Sequence, residues 1–307
     1  MKRLLVTGAT GFVGAPAVRL ARDHFEVHAT ARTARAVPTG VSFHPCDLLN
    51  ADKTARLIEI VRPTHLLHLA WVATPGVYWT SPENHRWAEA SKHILLTFAQ
   101  YGGTRAVVAG SCAEYDWGTG GVCHERDTPA RPRTTYGRCK LELGKWAEVL
   151  GSARGVSVAR ARLFFLYGPG EHLSRLVPSV ARALLAGTPA ACSTGTQERD
   201  FLHVEDAADA LVALAQSDLT GPVNVGSGAA VAVRDLIDHV ARECGRPDLV
   251  RLGARATPAG EPPLLVADAG RLRDELGWRP RTDLERGLRE TVDWWRTTGS
   301  EGVRKCG

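Results

Sequence analysis

The chain has no CxxC pair, no apolar run of membrane length, no basic stripe and no internal repeat, and each absence removes a class of protein. Its seven cysteines are scattered and odd in number. They read as reduced thiols, which argues against both a zinc site and a disulfide framework, and no metal site is expected. Lys2 and Arg3 precede a short apolar run that Gly8 interrupts, so no signal peptide is written there. No later run could span a bilayer, and the expected setting is cytoplasmic, without a membrane partner. The formal net charge of +5 and pI near 8.9 suit an anionic ligand. The basic residues are spread along the chain, however, and leave no footprint for nucleic acid. Low-complexity segments and long linkers are also missing. What remains is 307 residues with 44% hydrophobic and 23% charged content, enough for a full core in one large domain or two merged lobes.

The most informative stretch is the start. An apolar run from Lys2 to Val6 leads into TGATGFVG, Thr7 to Gly14, which reads as strand, glycine turn and helix. A tight turn off a buried strand needs a residue without Cβ at Gly8. Gly11 lets backbone approach a pyrophosphate, and Gly14 lets the helix pack closely on the strand. That helix, expected to run to about Asp23, turns its unpaired N–H groups and positive dipole end toward the phosphates. Thr10, Phe12 and Val13 complete the expected cofactor contacts of this turn.

Strand-like runs recur at about 2 to 7, 25 to 31, 41 to 45, 65 to 69, 104 to 109 and 156 to 162, with helical patterns between most of them. This alternation predicts an α/β fold, a Rossmann-type doubly wound parallel sheet over residues 1–164. The pattern loosens after Phe164. Residues 165–307 are expected to form mainly a smaller α/β substrate lobe, with some segments returning to the first domain. The second strand, FEVHATAR, lacks the terminal carboxylate that would accept hydrogen bonds from an adenosine ribose. Thr30, Arg32 and Arg35 stand there instead. An arginine at this place pairs with a 2′-phosphate, so NADP(H) is favoured over NAD; the alternative is that Arg32 is a solvated loop charge. After the third strand, Asp47 and Leu48 can set a carboxylate by the adenine amino group and an apolar side chain on the ring.

A series of motifs continues in order: CDL at Cys46 to Leu48, HLAW at His68 to Trp71, GSCAEY at Gly110 to Tyr115, and YGRCK at Tyr136 to Lys140. YGPG at Tyr167 to Gly170, RDFLHVEDAADA at Arg199 to Ala210, NVGSG at Asn224 to Gly228 and LGWRP at Leu276 to Pro280 follow. With TGATGFVG, they make the chain resemble, over nearly its whole length, the extended short-chain dehydrogenases/reductases. This is the NAD(P)-dependent epimerase/dehydratase superfamily, which acts largely on nucleotide sugars.

The resemblance places the chemistry on Ser111, Tyr136 and Lys140. A lysine four residues after a tyrosine at a helix start shares its face, where an ammonium lowers the phenol pKa and binds the nicotinamide ribose. Tyr136 is then the acid/base for a carbinol or ketone oxygen, which Ser111 also hydrogen-bonds. Leu69, Ala70 and Trp71 are expected beside the cofactor. Family dehydratases carry an acidic pair directly after the Ser/Thr. Cys112 and Ala113 stand there, and Glu114, one residue further on an extended segment, would point the other way. A 4,6-dehydratase is thereby disfavoured. Reduction of a keto group and 4-epimerisation remain, and the arginine-bearing ribose end tilts toward an NADPH-dependent reductase. AGSCAEYDW and RLFFLYGPGE are also similar to reductases of nucleotide-linked 4-keto-6-deoxysugars. A non-catalytic NADP(H) sensor is a third possibility, which the presence of Ser111, Tyr136 and Lys140 disfavours.

On the substrate side, Cys112, Tyr78, Trp79, Phe165, Arg199 and Glu261 are the expected contacts. Phe165 replaces a frequent family asparagine, and Thr257 stands where an arginine often grips the pyrophosphate, with Arg255 nearby. Arg199 matches the family's diphosphate arginine; the alternative is a structural ion pair with Asp200 or Glu205. The aromatics Trp71, Tyr78 and Trp79 either wall a sugar pocket or pack their loop. His68 and His203 are expected to hydrogen-bond within the core. Apolar stripes on helices at about 83 to 101 and 135 to 150, including Trp87, Ile94, Leu95, Phe98, Leu141, Leu143, Trp146 and Leu150, suggest a homodimer interface, or else face the sheet.

Overall fold

Leu4, Leu5 and Val6 are all almost fully buried, as a strand covered on both faces requires. The computed structural model, which describes residues 2–33, 37–118, 120–257 and 260–298, places them on an interior strand of a seven-stranded parallel sheet. In chain order the first half contains β1 (Arg3–Thr7), α1 (Gly14–Ala21), β2 (Glu26–Ala31), β3 (Ser42–Pro45), α2 (Ala51–Val61), β4 (His65–His68) and α3 (Glu83–Gln100). It continues with β5 (Arg105–Ser111), a turn of 3-10 helix (Cys112–Glu114), β6 (Gly121–Cys123), α4 (Thr135–Arg154) and β7 (Ser157–Leu163). The second half holds β8 (Phe165–Tyr167), α5 (Leu176–Leu185), β9 (Ala190–Ala191), β10 (Glu198–Arg199), β11 (Phe201–His203), α6 (Val204–Gln216) and β12 (Gly221–Val225). It ends with β13 (Val231–Ala232), α7 (Val233–Cys244), β14 (Val250–Arg251), β15 (Leu264–Ala267) and α8 (Leu284–Thr298).

The large sheet runs β12-β7-β5-β4-β1-β2-β3. The chain leaves β1 in one direction for β2 and β3, then crosses back to β4 and β5. The crevice of this doubly wound sheet therefore opens at the carboxyl ends of β1 and β4, the usual ligand position in such folds. One face is covered by α1 and α6, whose Ala17, Val18, Ala21, Ala207, Ala208 and Leu211 share a core with Val6 and Val27. Small residues let the two helices lie close to the strands and to each other. Helix α1 ends at Ala21, two residues short of the expectation, because the chain folds back there and both His24 and Phe25 donate to the Ala21 carbonyl.

The other face carries α2, α3 and α4. Ile94, Leu95, Phe98, Leu143 and Ala147 are buried there with Leu66 and Val108, and Trp87, Trp146 and Leu150 pack against them. Ile94, Leu95, Phe98 and Leu143 of the two stripes thus face this chain's own sheet, while Trp87, Trp146 and Leu150 stay partly exposed at its edge. Among the described residues no helix is long and apolar enough to cross a membrane.

The smaller lobe packs α5, α7 and α8 around Leu184, Leu236, Ile237, Leu288 and Val292. Its four-stranded sheet runs β13-β10-β15-β6, so a strand from the first half of the chain is built into it. In the opposite sense α6 and β12 return to the large sheet, where β12 pairs with β7 from Gly221↔Ala159 to Val225↔Leu163.

Candidate functional site

At the carboxyl end of β1, Gly8 has φ +67°, and a Cβ added to it would lie 2.9 Å from the Ala70 backbone nitrogen. A Cβ on Gly14 would strike the Gly8 carbonyl, so α1 starts as close to the strand as its backbone allows. Gly11 is exposed, with only the Gly8 carbonyl near its missing Cβ. Among the described residues no side chain caps the first turn of α1, where Ala15 N donates to the Gly11 carbonyl at 3.0 Å and Pro16 carries no N–H. Thr10, Phe12 and Val13 are half-buried along it. This glycine cradle with an uncapped helix start fits the pyrophosphate of a dinucleotide. The end of β4 is tied to it: Thr7 Oγ1 accepts from Leu69 N at 3.1 Å and Ala70 N at 3.2 Å, and shares a 2.8 Å hydrogen bond with His68 Nδ1.

At the ribose end Arg32 is exposed one residue beyond β2. Arg35 lies outside the described residues. Thr30 is spent within the sheet, donating from Oγ1 to the His44 carbonyl at 2.8 Å, because its side chain faces the neighbouring strand. Asp47 is exposed and its Oδ1 accepts from Leu49 N at 3.2 Å. Leu48 is buried in the core under α2 and α3. Leu48 and Leu49 also border a groove of about 500 Å³ along α3 with His85, Glu89 and His93.

Ser111, Tyr136 and Lys140 are brought together by the end of β5 and the start of α4. Thr134 caps α4, accepting from Gly137 N at 3.0 Å. Gly137 lies so close to the 3-10 turn that a Cβ would strike the Ala113 carbonyl, which sets Tyr136 beside Ser111. Lys140 is buried, donates from Nζ to the Ala109 carbonyl at 2.9 Å, and lies 3.9 Å from the Trp71 ring centroid. Burial lowers its pKa to about 7, against the opposing pull of Glu114. Burial pushes the Tyr136 phenol well up, with Tyr78 adding to the rise and a hydrogen bond from Ser111 opposing it. The expected lowering of the phenol by Lys140 is not what the geometry produces: Nζ is 5.9 Å from the Tyr136 ring centroid and is engaged elsewhere, and desolvation dominates.

Glu114 also departs from expectation. The residues after Ser111 form a 3-10 turn and not an extended segment, because Ser111 and Glu114 cap each other reciprocally. Glu114 is fully buried, 3.1 Å from Arg160 Nη1 and 2.9 Å from Arg162 Nε. Breaking one partner out of such a buried cluster typically costs about 3–5 kcal/mol.

The loop after β4 closes over this centre. Tyr78 is buried, with its ring edge-on to Tyr136 at 4.8 Å, and Trp79 lies 5.8 Å from Tyr136 and 5.7 Å from Trp117. The Tyr136 N–H donates to the Trp79 carbonyl at 3.1 Å. Trp71 is held by its indole N–H on Asn84 Oδ1 at 2.8 Å. These aromatics therefore pack their own loop and at the same time line the surroundings of Tyr136. Cys112 is buried behind Ser111, and burial pushes its thiol far up.

Three expected substrate residues meet in the smaller lobe. Arg199 Nη2 donates to Glu261 Oε1 at 2.7 Å, and its guanidinium carbon lies 5.6 Å from the Phe165 ring centroid. Neither alternative ion-pair partner is used: Asp200 accepts from the backbone of Ser227, Gly228 and Ala267, and Glu205 pairs with Arg19. Arg255 and Thr257 are exposed nearby in sequence. His68 bonds to Thr7 and, through Nε2, to Ser91 Oγ at 2.8 Å, as a core histidine should. His203 does not: both ring nitrogens are buried without partners among the described residues, since Tyr167 stands edge-on to its ring and the backbone of α8 at Gly287 closes in beside it. The six described cysteines are free thiols.

Sequence reasoning missed Asn84, Arg175 and Glu171. Arg175 stands 5.4 Å over Tyr78, and Glu171 is buried with one oxygen unpartnered, its pKa raised to about 8 by burial. For Glu114 a signal existed: Arg160 and Arg162 alternate in an apolar strand, and buried guanidinium groups demand an acid.

A family model described as the NAD dependent epimerase/dehydratase family matches residues 4–226. The dTDP-6-deoxy-L-talose 4-dehydrogenase (NAD(P)(+)) of Kitasatospora kifunensis is 30% identical over 303 residues, covering 94% of this chain and 94% of that protein. The UDP-glucose 4-epimerase of Azospirillum brasilense is 26% identical over 332 residues, covering 99% and 95% respectively. The crystal structure of the Thermus thermophilus UDP-glucose 4-epimerase in complex with NAD matches with a TM-score of 0.82 and 28% identity, covering 96% of this chain and 99% of that one.

Proposed function

The chain belongs to the NAD dependent epimerase/dehydratase family, and from that premise we propose that it is an NADPH-dependent reductase of a nucleotide-linked 4-keto-6-deoxysugar. The observation that carries the direction of the chemistry is the ribose end of the cofactor crevice, where β2 runs out into exposed Arg32 with no carboxylate at its end. A guanidinium there favours a 2′-phosphate, and NADPH is the usual source of reducing equivalents for net reduction.

Each reacting group has a defined task. The Gly8–Gly14 turn and Lys140 would hold a nicotinamide cofactor, which would supply the hydride for the keto carbon. Tyr136 gives its phenolic proton to the keto oxygen. Its upward-shifted pKa keeps that proton in place until the oxygen gains charge. Ser111 donates a hydrogen bond to the same oxygen. Lys140, with Nζ on the Ala109 carbonyl and 5.9 Å from the Tyr136 ring centroid, places an amine with a pKa of about 7 beside the reaction centre. Cys112 and Ala113 supply no second acid/base pair, in keeping with a reaction that removes no water.

A dehydrogenation at C4 run backward is the reduction proposed, and the Kitasatospora relative carries a name of that kind. The second reading is a nucleotide-sugar 4-epimerase with bound NAD, favoured by full-length likeness to the Azospirillum and Thermus epimerases. Nicotinamide absorbance during incubation with NADPH and a panel of nucleotide 4-keto-6-deoxyhexoses separates the two. Stoichiometric loss of NADPH with one panel member supports the reductase. Silence across the panel, with NAD released on denaturation and interconversion of a nucleotide hexose, overturns it in favour of the epimerase.

A further inference from the structure

Arg160 and Arg162 project from the same face of β7 in the protein interior, at 4% and 2% exposure. Glu114 answers both through one oxygen: Oε2 accepts from Arg160 Nη1 at 3.1 Å and from Arg162 Nε at 2.9 Å. The other oxygen, Oε1, accepts the backbone N–H of Ser111 at 2.9 Å. Gly110 makes room for it, since a Cβ at that position would strike Oε1. Ser111 closes the cap from its side by accepting the Ala113 N–H at 3.2 Å on its hydroxyl oxygen. Glu114 is 0% exposed and meets Arg160, Arg162 and the Ser111 backbone. It is also the nearest acid acting on Lys140, whose other neighbours are His68 from β4, held neutral by a pKa near 3, Trp71 from the following loop and Tyr136 from its own helix.

We infer that Glu114 is a positioning residue of the reaction centre: clamped by two buried arginines, its carboxylate fixes the backbone of Ser111 from beneath and stands as the counter-charge behind Lys140. This rests on the assignment of Ser111, Tyr136 and Lys140 to catalysis. The acid that the sequence places one residue too far for proton transfer acts through its neighbours and never meets the sugar.

Three variants test it. Glu114→Gln preserves shape and an acceptor for Ser111 but removes the charge. It should lower kcat roughly tenfold while leaving KM for the sugar and the fluorescence-measured Kd for NADPH within about twofold. Loss of the negative charge lowers the pKa values of Lys140 and Tyr136, so the limbs of the pH–rate profile should move to lower pH; Glu114→Asp should restore their position. If Glu114→Gln does not fold, Gly110→Ala displaces Oε1 without changing any charge, and a folded Gly110→Ala should show the same loss of kcat at unchanged Kd. A kcat and pH profile like the wild type in either folded variant overturns the inference. So does loss of folding in both, which would assign Glu114 to stability alone. Tyr136→Phe, measured in parallel, separates the two levels: its full activity would remove the catalytic assignment itself, whereas an inactive Tyr136→Phe beside an unaltered Glu114→Gln would remove only the role of Glu114.

Discussion

Lys140 lies with its ammonium 3.9 Å over the face of Trp71, while its protons reach the Ala109 carbonyl at 2.9 Å. The indole is fixed in turn by Asn84. A ring, a carbonyl and one distant acid are what the lysine receives in exchange for water, and the exchange falls short, which is why its pKa drops to about 7.

That deficit is measurable as stability. Between about pH 7 and the ordinary lysine value near 10.4, the unfolded chain binds a proton at this residue that the folded chain releases. The contribution of Lys140 therefore rises with pH, by at most about 1.4 kcal/mol per unit. Two kinds of buried group act in the opposite sense: Glu171, raised to about 8, up to about that pH, and the buried thiols, raised in the folded state, near and above pH 9. The difference in denaturant midpoint between the wild type and Lys140→Met should therefore change in favour of the wild type from pH 7 to 8.5, since Glu171 is common to both.

Tyr136→Phe should lower turnover by about 10²- to 10⁴-fold, the usual weight of a positioned acid/base. Cofactor affinity, read by nicotinamide fluorescence, should change little, because the removed hydroxyl is not part of the glycine cradle. A pure NADP(H) sensor would lose nothing measurable.

Gly14→Ala places a methyl group against the Gly8 carbonyl. Overpacking of this kind costs about 1–3 kcal/mol. It should also push α1 off the strand, so a lower Tm is expected together with weakened binding of both NADPH and NADH.

Arg32→Ala should discriminate between those two cofactors. Loss of a charge-assisted pairing to phosphate is worth about 1.5–3 kcal/mol, or more than tenfold. The Kd for NADPH should rise accordingly and that for NADH should stay within about twofold. An unchanged ratio would mark Arg32 as a solvated loop charge.

The six strands read from apolar runs all stand in the large sheet; β1, β4, β5 and β7 are buried along most of their length and cannot hide their composition, whereas the edge strand β3 has no buried residue. The seventh, β12, reads Gly-Pro-Val-Asn-Val and was illegible by that rule. Its Asn224 is tied instead to Tyr115, Cys123 and Asp268 across the fold. Ser111, Tyr136 and Lys140 were legible through motif and helical spacing. Their electrostatics were not, since the pKa of Tyr136 depends on burial by a loop folded from elsewhere. Thr30 illustrates the same limit: a hydroxyl at the right place in sequence is consumed by the strand next to it. His203 shows it in reverse, a polar ring in an apolar run for which the fold supplies no partner among the described residues.

Strand β6 belongs by sequence to the first half and by pairing to the second, where it lies beside β15. His124, next to it, meets Asp268 across a separation of 144 residues. On the ribosome, where earlier segments emerge and fold first, the glycine turn and β1 to β5 are complete long before β6 finds its neighbour. The nascent protein thus acquires its glycine cradle early and the four-stranded sheet of its smaller lobe among the last events of synthesis, so a prematurely released chain would hold the first of these and lack the second.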